Sequence, residues 1–363
     1  MSEQCKATAL LRHLLSGKIE GSFFDLSPSD WIVFLQLCRT HGLPGLALQY
    51  VRDGAPEHVV EALAERQRQA RIRGLWLHRS AMDVLRLLKG RGVQRVAPLK
   101  GTYLLPAMYE DFGARTTNDV DLLVHPDDFE ASHQHLIEAG FSYVPKPEGR
   151  PASQRANYER SYQAPEGHII DLHRGLCQLS RVHLNYSAIW SRAENIESGD
   201  LKGFKRLSDG DILLTLLVHI GQDNFQGPFR QWMDVVMMLT WGRMNLEEVI
   251  QRALESGAGT LMWCVLYRLS RMGVQIPDCS WEALSPKGIR KTYLLRLLNQ
   301  SSLTPLSYKM NSRRAQALMT LPVMDGWNRR GRFLSEYISI RMKDPIDRFS
   351  SSPDRSLRHD PTD

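Results

Sequence analysis

A chain of 363 residues with 42% hydrophobic and 24% charged residues can bury a sizeable core, which excludes a wholly disordered protein and sets an expectation of two domains. Its formal net charge of +6 at pH 7 suits an anionic substrate, but Lys and Arg are spread along the chain without a long basic block, which argues against a dedicated nucleic-acid surface. Local basic groups at Arg66, Arg68, Arg71, Arg73 and at Arg313, Arg314, Arg329, Arg330, Arg332 keep nucleic acid open as a partner, although neither group is interleaved with base-stacking aromatics.

The N-terminal stretch has no sustained apolar run and no small-residue cleavage site, so no signal peptide is expected. Residues 29–37 read as an amphipathic helix capped by Ser29 and Asp30, Gly42 and Pro44 break the chain, and a long helical pattern runs over 57–89. Residues 1–90 are therefore expected to form a helical N-terminal region. The texture changes after Gly90-Arg91-Gly92. Strand-like runs occur at 93–99 and 120–125, with weaker ones at 141–144, 158–163 and 168–173, interspersed with helical patterns at 103–109 and 126–139. These define an α+β core over 91–205, in which 145–156, rich in Pro, Gly and charge, reads as a loop. Helix returns in 206–342, most clearly at 209–220, 230–241, 246–256 and 260–272, and a polar, flexible tail is expected over 343–363.

The longest apolar runs, 212–220 and 261–267, fall short of the roughly 20 residues a membrane span needs. The five cysteines, Cys5, Cys38, Cys177, Cys264 and Cys279, are odd in number and lack metal-ligand spacing, so reduced thiols and a soluble, cytoplasmic protein without membrane partners are expected.

The segment 99–125 carries the chemistry. Alternate side chains of a strand share a face, so Asp119 and Asp121 project together, while apolar Val120, Leu122 and Leu123 anchor the strand. Two adjacent carboxylates repel unless a cation neutralises them, and a hard ion such as Mg²⁺ (or Mn²⁺) is the natural occupant. A third carboxylate, Asp171, lies in another apolar run on the same face as His173. If the two strands are neighbours, Asp119, Asp121 and Asp171 converge as metal ligands and catalytic residues. Upstream, a strand enters Lys100-Gly101-Thr102 and then a helix, where glycine permits close backbone approach to a phosphate and Thr102 adds a hydroxyl donor. Lys100 and Arg115 can neutralise phosphate charge.

These features resemble the uncharacterised nucleotidyltransferase family of the DNA-polymerase-β-like superfamily. The matching residues are Leu99-Lys100-Gly101, Arg115, Asp119-Val120-Asp121-Leu122-Leu123-Val124 and Asp171-Leu172-His173, with His219 and Trp232-Met233-Asp234 similar to the family's helical segment. The superfamily usually carries Gly-Ser where this chain has Gly101-Thr102. The resemblance implies an α+β fold with a small mixed sheet, N-terminal helices and a C-terminal helical domain. It also implies metal-dependent transfer of a nucleoside monophosphate from a nucleoside triphosphate, ATP being the commonest, to an acceptor, with release of pyrophosphate.

Plainer readings stand beside these. Lys100 also reads as a surface lysine, Arg115 as a partner of Glu110 or Asp111, and Asp171 as a turn-binding carboxylate. His173 reads as an orienting group for Asp171, a substrate contact or a structural histidine; His219 and Asp223 read as acceptor-side residues or as helix packing and caps. The expected acceptor is a small molecule or natural-product intermediate. Modification of protein or RNA, and nucleotide binding without catalysis, are the alternatives.

Overall fold

A computed structural model of the chain describes residues 3–17, 26–145, 158–177, 182–299 and 320–343. The predicted loop 145–156 and tail 343–363 lie, beyond their first residues, outside the described residues.

The chain opens with helices α1 (Glu3–Ser16), α2 (Pro28–His41), α3 (Pro44–Val51) and the 34-residue α4 (Glu57–Gly90). The cap of α2 is Ser27, ahead of the expected Ser29. Pro28 is ready for the first helical position because it has no N–H to satisfy, so the cap falls before it. The Ser27 hydroxyl accepts from the Asp30 N–H at 3.2 Å, and the Asp30 carboxylate accepts from the Ser27 N–H at 3.0 Å. Gly42, at φ 68°, ends the helix in a left-handed turn.

Five strands follow: β1 (Val96–Pro98), β2 (Val120–Val124), β3 (Ser142–Val144), β4 (Glu159–Gln163) and β5 (Ile169–His173). Their spatial order is β1-β2-β5-β4-β3, with β2 and β5 parallel and the other pairs antiparallel. Every residue of β2 is buried, as expected of a run flanked on both faces. Helix α5 (Lys100–Met108) starts directly after β1, three residues earlier than its apolar pattern suggests, because the strand runs straight into the Lys100-Gly101 turn. Helix α4 packs against β1, β2, α5 and α6 (Phe129–Glu138).

Beyond the sheet lie α7 (Tyr186–Ser191), a ribbon of β6 (Glu194–Asn195) and β7 (Lys205–Arg206), and then α8 (Asp209–Gln222), α9 (Phe229–Trp241), α10 (Leu246–Ser256), α11 (Gly259–Arg271), α12 (Gly288–Asn299) and α13 (Trp327–Lys343). Helix α8 is buried from Gly210 to Ile220 except at His219, and it packs against α9, α10 and α11. Helix α1 touches both α2 and α9, so the N-terminal and C-terminal helices share one apolar core with the sheet. Among the described residues no helix is long and apolar enough to cross a membrane.

Helix α3 braces the segment leading to β2. Leu46 N–H donates to the Ala114 carbonyl at 3.0 Å. A Cβ on Gly45 would lie 2.7 Å from Ala114 Cα and closer still to the Gly113 carbonyl oxygen. Alanine is the better helix former by about 1 kcal/mol, but here backbone must move to admit it. Gly45→Ala is therefore expected to destabilise the protein by roughly 1–3 kcal/mol, read as a fall in urea midpoint; an unchanged or raised midpoint would show that the 113–115 backbone yields freely.

Candidate active site

The site is built on β2. The Asp121 backbone is held from both ends of the preceding turn: the Leu99 N–H donates to the Asp121 carbonyl, and the Asp121 N–H donates to the Thr102 hydroxyl, each at 3.0 Å. The Thr102 hydroxyl thus accepts from the strand and helps to position it, an interaction that leaves its own O–H as a donor. Between these anchors Lys100 adopts a left-handed backbone at φ 43°, a conformation costing a non-glycine residue about 1 kcal/mol or more. In it the Lys100 ammonium reaches Asp121 Oδ1 at 2.8 Å. Gly101 follows, where a Cβ would lie 2.7 Å from Thr117 Oγ1 and 3.1 Å from Arg115 Nη2, so that any larger residue must displace these side chains.

The parallel pairing of β2 with β5 sets Asp121 directly beside Asp171. Asp119 lies in the bend just before β2, not in the strand as its alternation with Asp121 predicts, and it lines the same cavity as Asp121. The Asp171 carboxylate accepts from the Ser161 hydroxyl at 2.5 Å. His173 does not orient Asp171: its Nε2 lies 2.9 Å from Asp121 Oδ1 and its Nδ1 3.4 Å from Glu159 Oε2, a carboxylate–imidazole–carboxylate chain.

Burial disfavours the charge on Asp121, but the Lys100 ammonium and the His173 hydrogen bond outweigh it and hold this carboxyl below the usual range. For Asp119 the balance is the reverse. Burial and the neighbouring Asp121 charge push it up to about 6 against the partial relief of Lys100. Asp171 is also raised, by burial and by Asp121, with Ser161 opposing. His219 is lowered to about 4 by burial and by Lys100, so it is neutral at pH 7.

A cavity of about 210 Å³ opens beside Asp119 and Asp121. Of the predicted residues, Lys100, Gly101, Arg115, Asp119, Asp121 and His219 line it, whereas Thr102, Asp171, His173 and Asp223 stand behind or beside it. Asp223 accepts from Gln231 Nε2 at 2.7 Å and lies 3.7 Å from His219 Nε2. Arg115 is partnered neither by Glu110 nor by Asp111, which is taken by Arg71. Its Nε lies 3.0 Å from Asp234 Oδ1, an oxygen that also accepts from the Tyr109 hydroxyl at 2.8 Å. Arg230 and Asn118 also line the cavity; sequence reading missed both. Arg230, next to the singled-out Trp232-Met233-Asp234, was within reach of a search for basic residues near that motif.

The donor chemistry at Asp119 and Asp121 fits a hard divalent cation: two oxygen ligands lining one cavity, one of them with its charge poorly compensated. Among the described residues, however, no three His, Cys, Asp or Glu side chains are gathered into a metal-holding group, and Lys100 serves as counter-charge to Asp121.

An acid whose pKa rises on folding contributes stability at low pH that is lost as pH climbs toward the raised value. For Asp119 that window runs from about 4 to about 6. In chelator-treated protein, Asp119→Asn should raise the melting temperature by a few degrees at pH 7.5, worth ~1–2 kcal/mol after allowance for solvent screening. The gain should vanish near pH 4; an equal gain at both pH values would show that Asp119 is not electrostatically strained.

A search of curated proteins finds no match to this chain. A family model described as "Uncharacterised nucleotidyltransferase" matches residues 27–273, spanning α2 to α11 and all of the elements that line the cavity. The chain belongs to this nucleotidyltransferase family.

Proposed function

We propose that the protein transfers a nucleoside monophosphate from a nucleoside triphosphate, with ATP the first to test, to a small-molecule acceptor, and releases pyrophosphate. The observation that carries this reading is the register setting Asp171 beside Asp121, with Asp119 and Asp121 lining one cavity next to the Lys100-Gly101 turn. Asp119 and Asp121 would hold Mg²⁺ or Mn²⁺, with Asp171 adjoining; when bound, the cation would neutralise phosphate charge and polarise the α-phosphate.

The protein's own groups account for the rest. Asp171, whose burial makes it a readier proton acceptor, takes the proton from the acceptor hydroxyl. The acceptor oxygen bonds to the α-phosphorus as the bond from that phosphorus to the β-phosphate's bridging oxygen breaks, and pyrophosphate leaves with the electron pair. Lys100, which lines the cavity and is ion-paired to Asp121, would be free to neutralise phosphate charge when Asp121 holds a cation. His173, fixed between Glu159 and Asp121, keeps the Asp121 carboxylate in one orientation. His219, neutral and facing the cavity from α8, belongs to the acceptor side with Asp223.

A small acceptor is favoured over RNA because five arginines of the two local basic groups have partners within the fold. Arg68 pairs with Glu65 and Arg71 with Asp111, Arg73 donates to the Thr117 and Asn118 carbonyls, and Arg329 and Arg330 donate to the Asp325 and Met324 carbonyls. The chain's division into helical region 1–90, catalytic core 91–205 and helical domain 206–342 belongs to the same proposal.

The test incubates the protein and its Asp121→Ala variant with Mg²⁺, each α-labelled nucleoside triphosphate in turn, and a host extract separated into small-molecule, RNA and protein fractions. Label is expected in the small-molecule fraction with the unmodified protein alone, the variant losing at least about a thousandfold in rate, as for removal of a residue acting directly on the reacting phosphate. Label in RNA or protein would reassign the acceptor; a fully active Asp121→Ala variant would sink the site.

A further inference from the structure

Two arginines from opposite parts of the chain face the cavity: Arg115, from the segment before β2, and Arg230, from the first turn of α9. Arg115 is 4% exposed and is ion-paired through Nε to Asp234, itself 4% exposed, while the Tyr109 hydroxyl donates to the same carboxylate oxygen. The Tyr109 ring also lies 5.9 Å from the guanidinium, close enough for a cation–π contact. Nη1 donates to the Thr116 carbonyl at 3.0 Å. These contacts leave the Nη edge lying against Gly101, where an added Cβ would come within 3.1 Å and 3.3 Å of the two terminal nitrogens. Arg230 is partly exposed and lies close enough to Asp119 and Asp234 to favour ionisation of both.

We propose that Arg115 and Arg230 together form the receptor for the departing pyrophosphate, and that Asp234 and Tyr109 are positioning residues that aim Arg115 at the Lys100-Gly101 turn. This rests on the transfer reading above and deepens it by assigning the leaving-group half of the site to residues from both the sheet segment and α9. The chemistry selects the ligand. A guanidinium is a poor base and a good bidentate donor to phosphate oxygens, so a pair of arginines serves the group on which negative charge accumulates, not the hydroxyl that must lose a proton. A buried arginine without a carboxylate partner would be costly to fold, and Asp234 removes that cost while leaving the Nη edge toward the cavity. Arg230, being partly exposed, can close on the anion from the other side.

The test measures binding of magnesium pyrophosphate by isothermal titration calorimetry to the full chain, with no turnover required. Arg230→Met is expected to weaken binding about tenfold or more, the usual worth of a charge-assisted contact to phosphate, with Arg230→Lys recovering part of the loss. Asp234→Asn, which keeps the side chain's size, should weaken pyrophosphate binding and raise KM for the triphosphate more than it lowers kcat. Thermal melting reports whether each variant folds; should Asp234→Asn not fold, the partly exposed Arg230 decides the matter. Pyrophosphate affinity unchanged in Arg230→Met, or no pyrophosphate binding by the unmodified chain, overturns the receptor. Arg230-dependent pyrophosphate binding in a chain that labels no acceptor overturns the transfer reading and leaves the anion subsite standing.

Discussion

The rest of the site follows from one constraint, the burial of a charged carboxylate in the middle of a strand with no exposed residue. Asp121 is 4% exposed and lies between Val120 and Leu122, both fully buried, where an unpaired charge would cost several kcal/mol. Its compensation comes from three directions. Lys100 reaches it only by taking a left-handed backbone, His173 reaches it across the β2–β5 pairing, and Thr102 and Leu99 hold its backbone in place. Asp119 and Asp171 receive less, and both are raised. Uneven compensation of this kind within one cavity is the mark of a functional site.

The parts of this arrangement that obey local rules were legible in the sequence. Apolar Val120, Leu122 and Leu123 marked the strand as buried, and the nearness of Asp119 to Asp121 was legible from their spacing, although Asp119 sits in the bend before the strand and not on its alternating face. Asp171 was legible as a third carboxylate in a similar run, and the observed register Asp121↔Asp171 supplies the neighbour relation that a linear pattern leaves open. The α+β fold and the helical texture after residue 206 were legible for the same reason. Lys100 was read as a phosphate contact or a surface lysine; its pairing with Asp121 depends on a backbone conformation that residue identity does not announce. Thr102 was read as a hydroxyl donor to phosphate; that the same hydroxyl also accepts the Asp121 N–H follows from the antiparallel return of β2 beside β1, which local spacing does not announce.

The contacts that were illegible are those made across the fold. Arg115 has acidic neighbours in sequence, Glu110 and Asp111, and its partner is neither, because Asp111 turns to Arg71 on α4 while Asp234 on α9 meets Arg115 from the other side. Nothing in local spacing specifies that meeting. It exists because the apolar faces of the sheet segment and of α8 and α9 are buried in one core, which brings polar residues at their borders into register.

The approach to α9 is held with the same stiffness as the Lys100 turn. Asn224 and Phe225 are successive non-glycine residues with φ 51° and 61°, a pairing that persists only where its surroundings impose it. Here the surroundings are visible: Phe225 is 1% exposed, its N–H donates to the Ile220 carbonyl, and Gln231 reaches back to Asp223. The loop between α8 and α9 is therefore pinned at both ends and through its middle. Arg230 sits one residue beyond the Phe229 that begins α9, fully buried against His41. The Lys100 turn thus presents a cation to the carboxylates, and the Asn224-Phe225 turn leads into the helix that carries Arg230; Lys100 and Arg230 both line the cavity. A fold that bears such costs behind the charged groups it presents keeps them preorganised around the cavity, so that a bound polyanion meets donors already in place rather than ordering them on arrival.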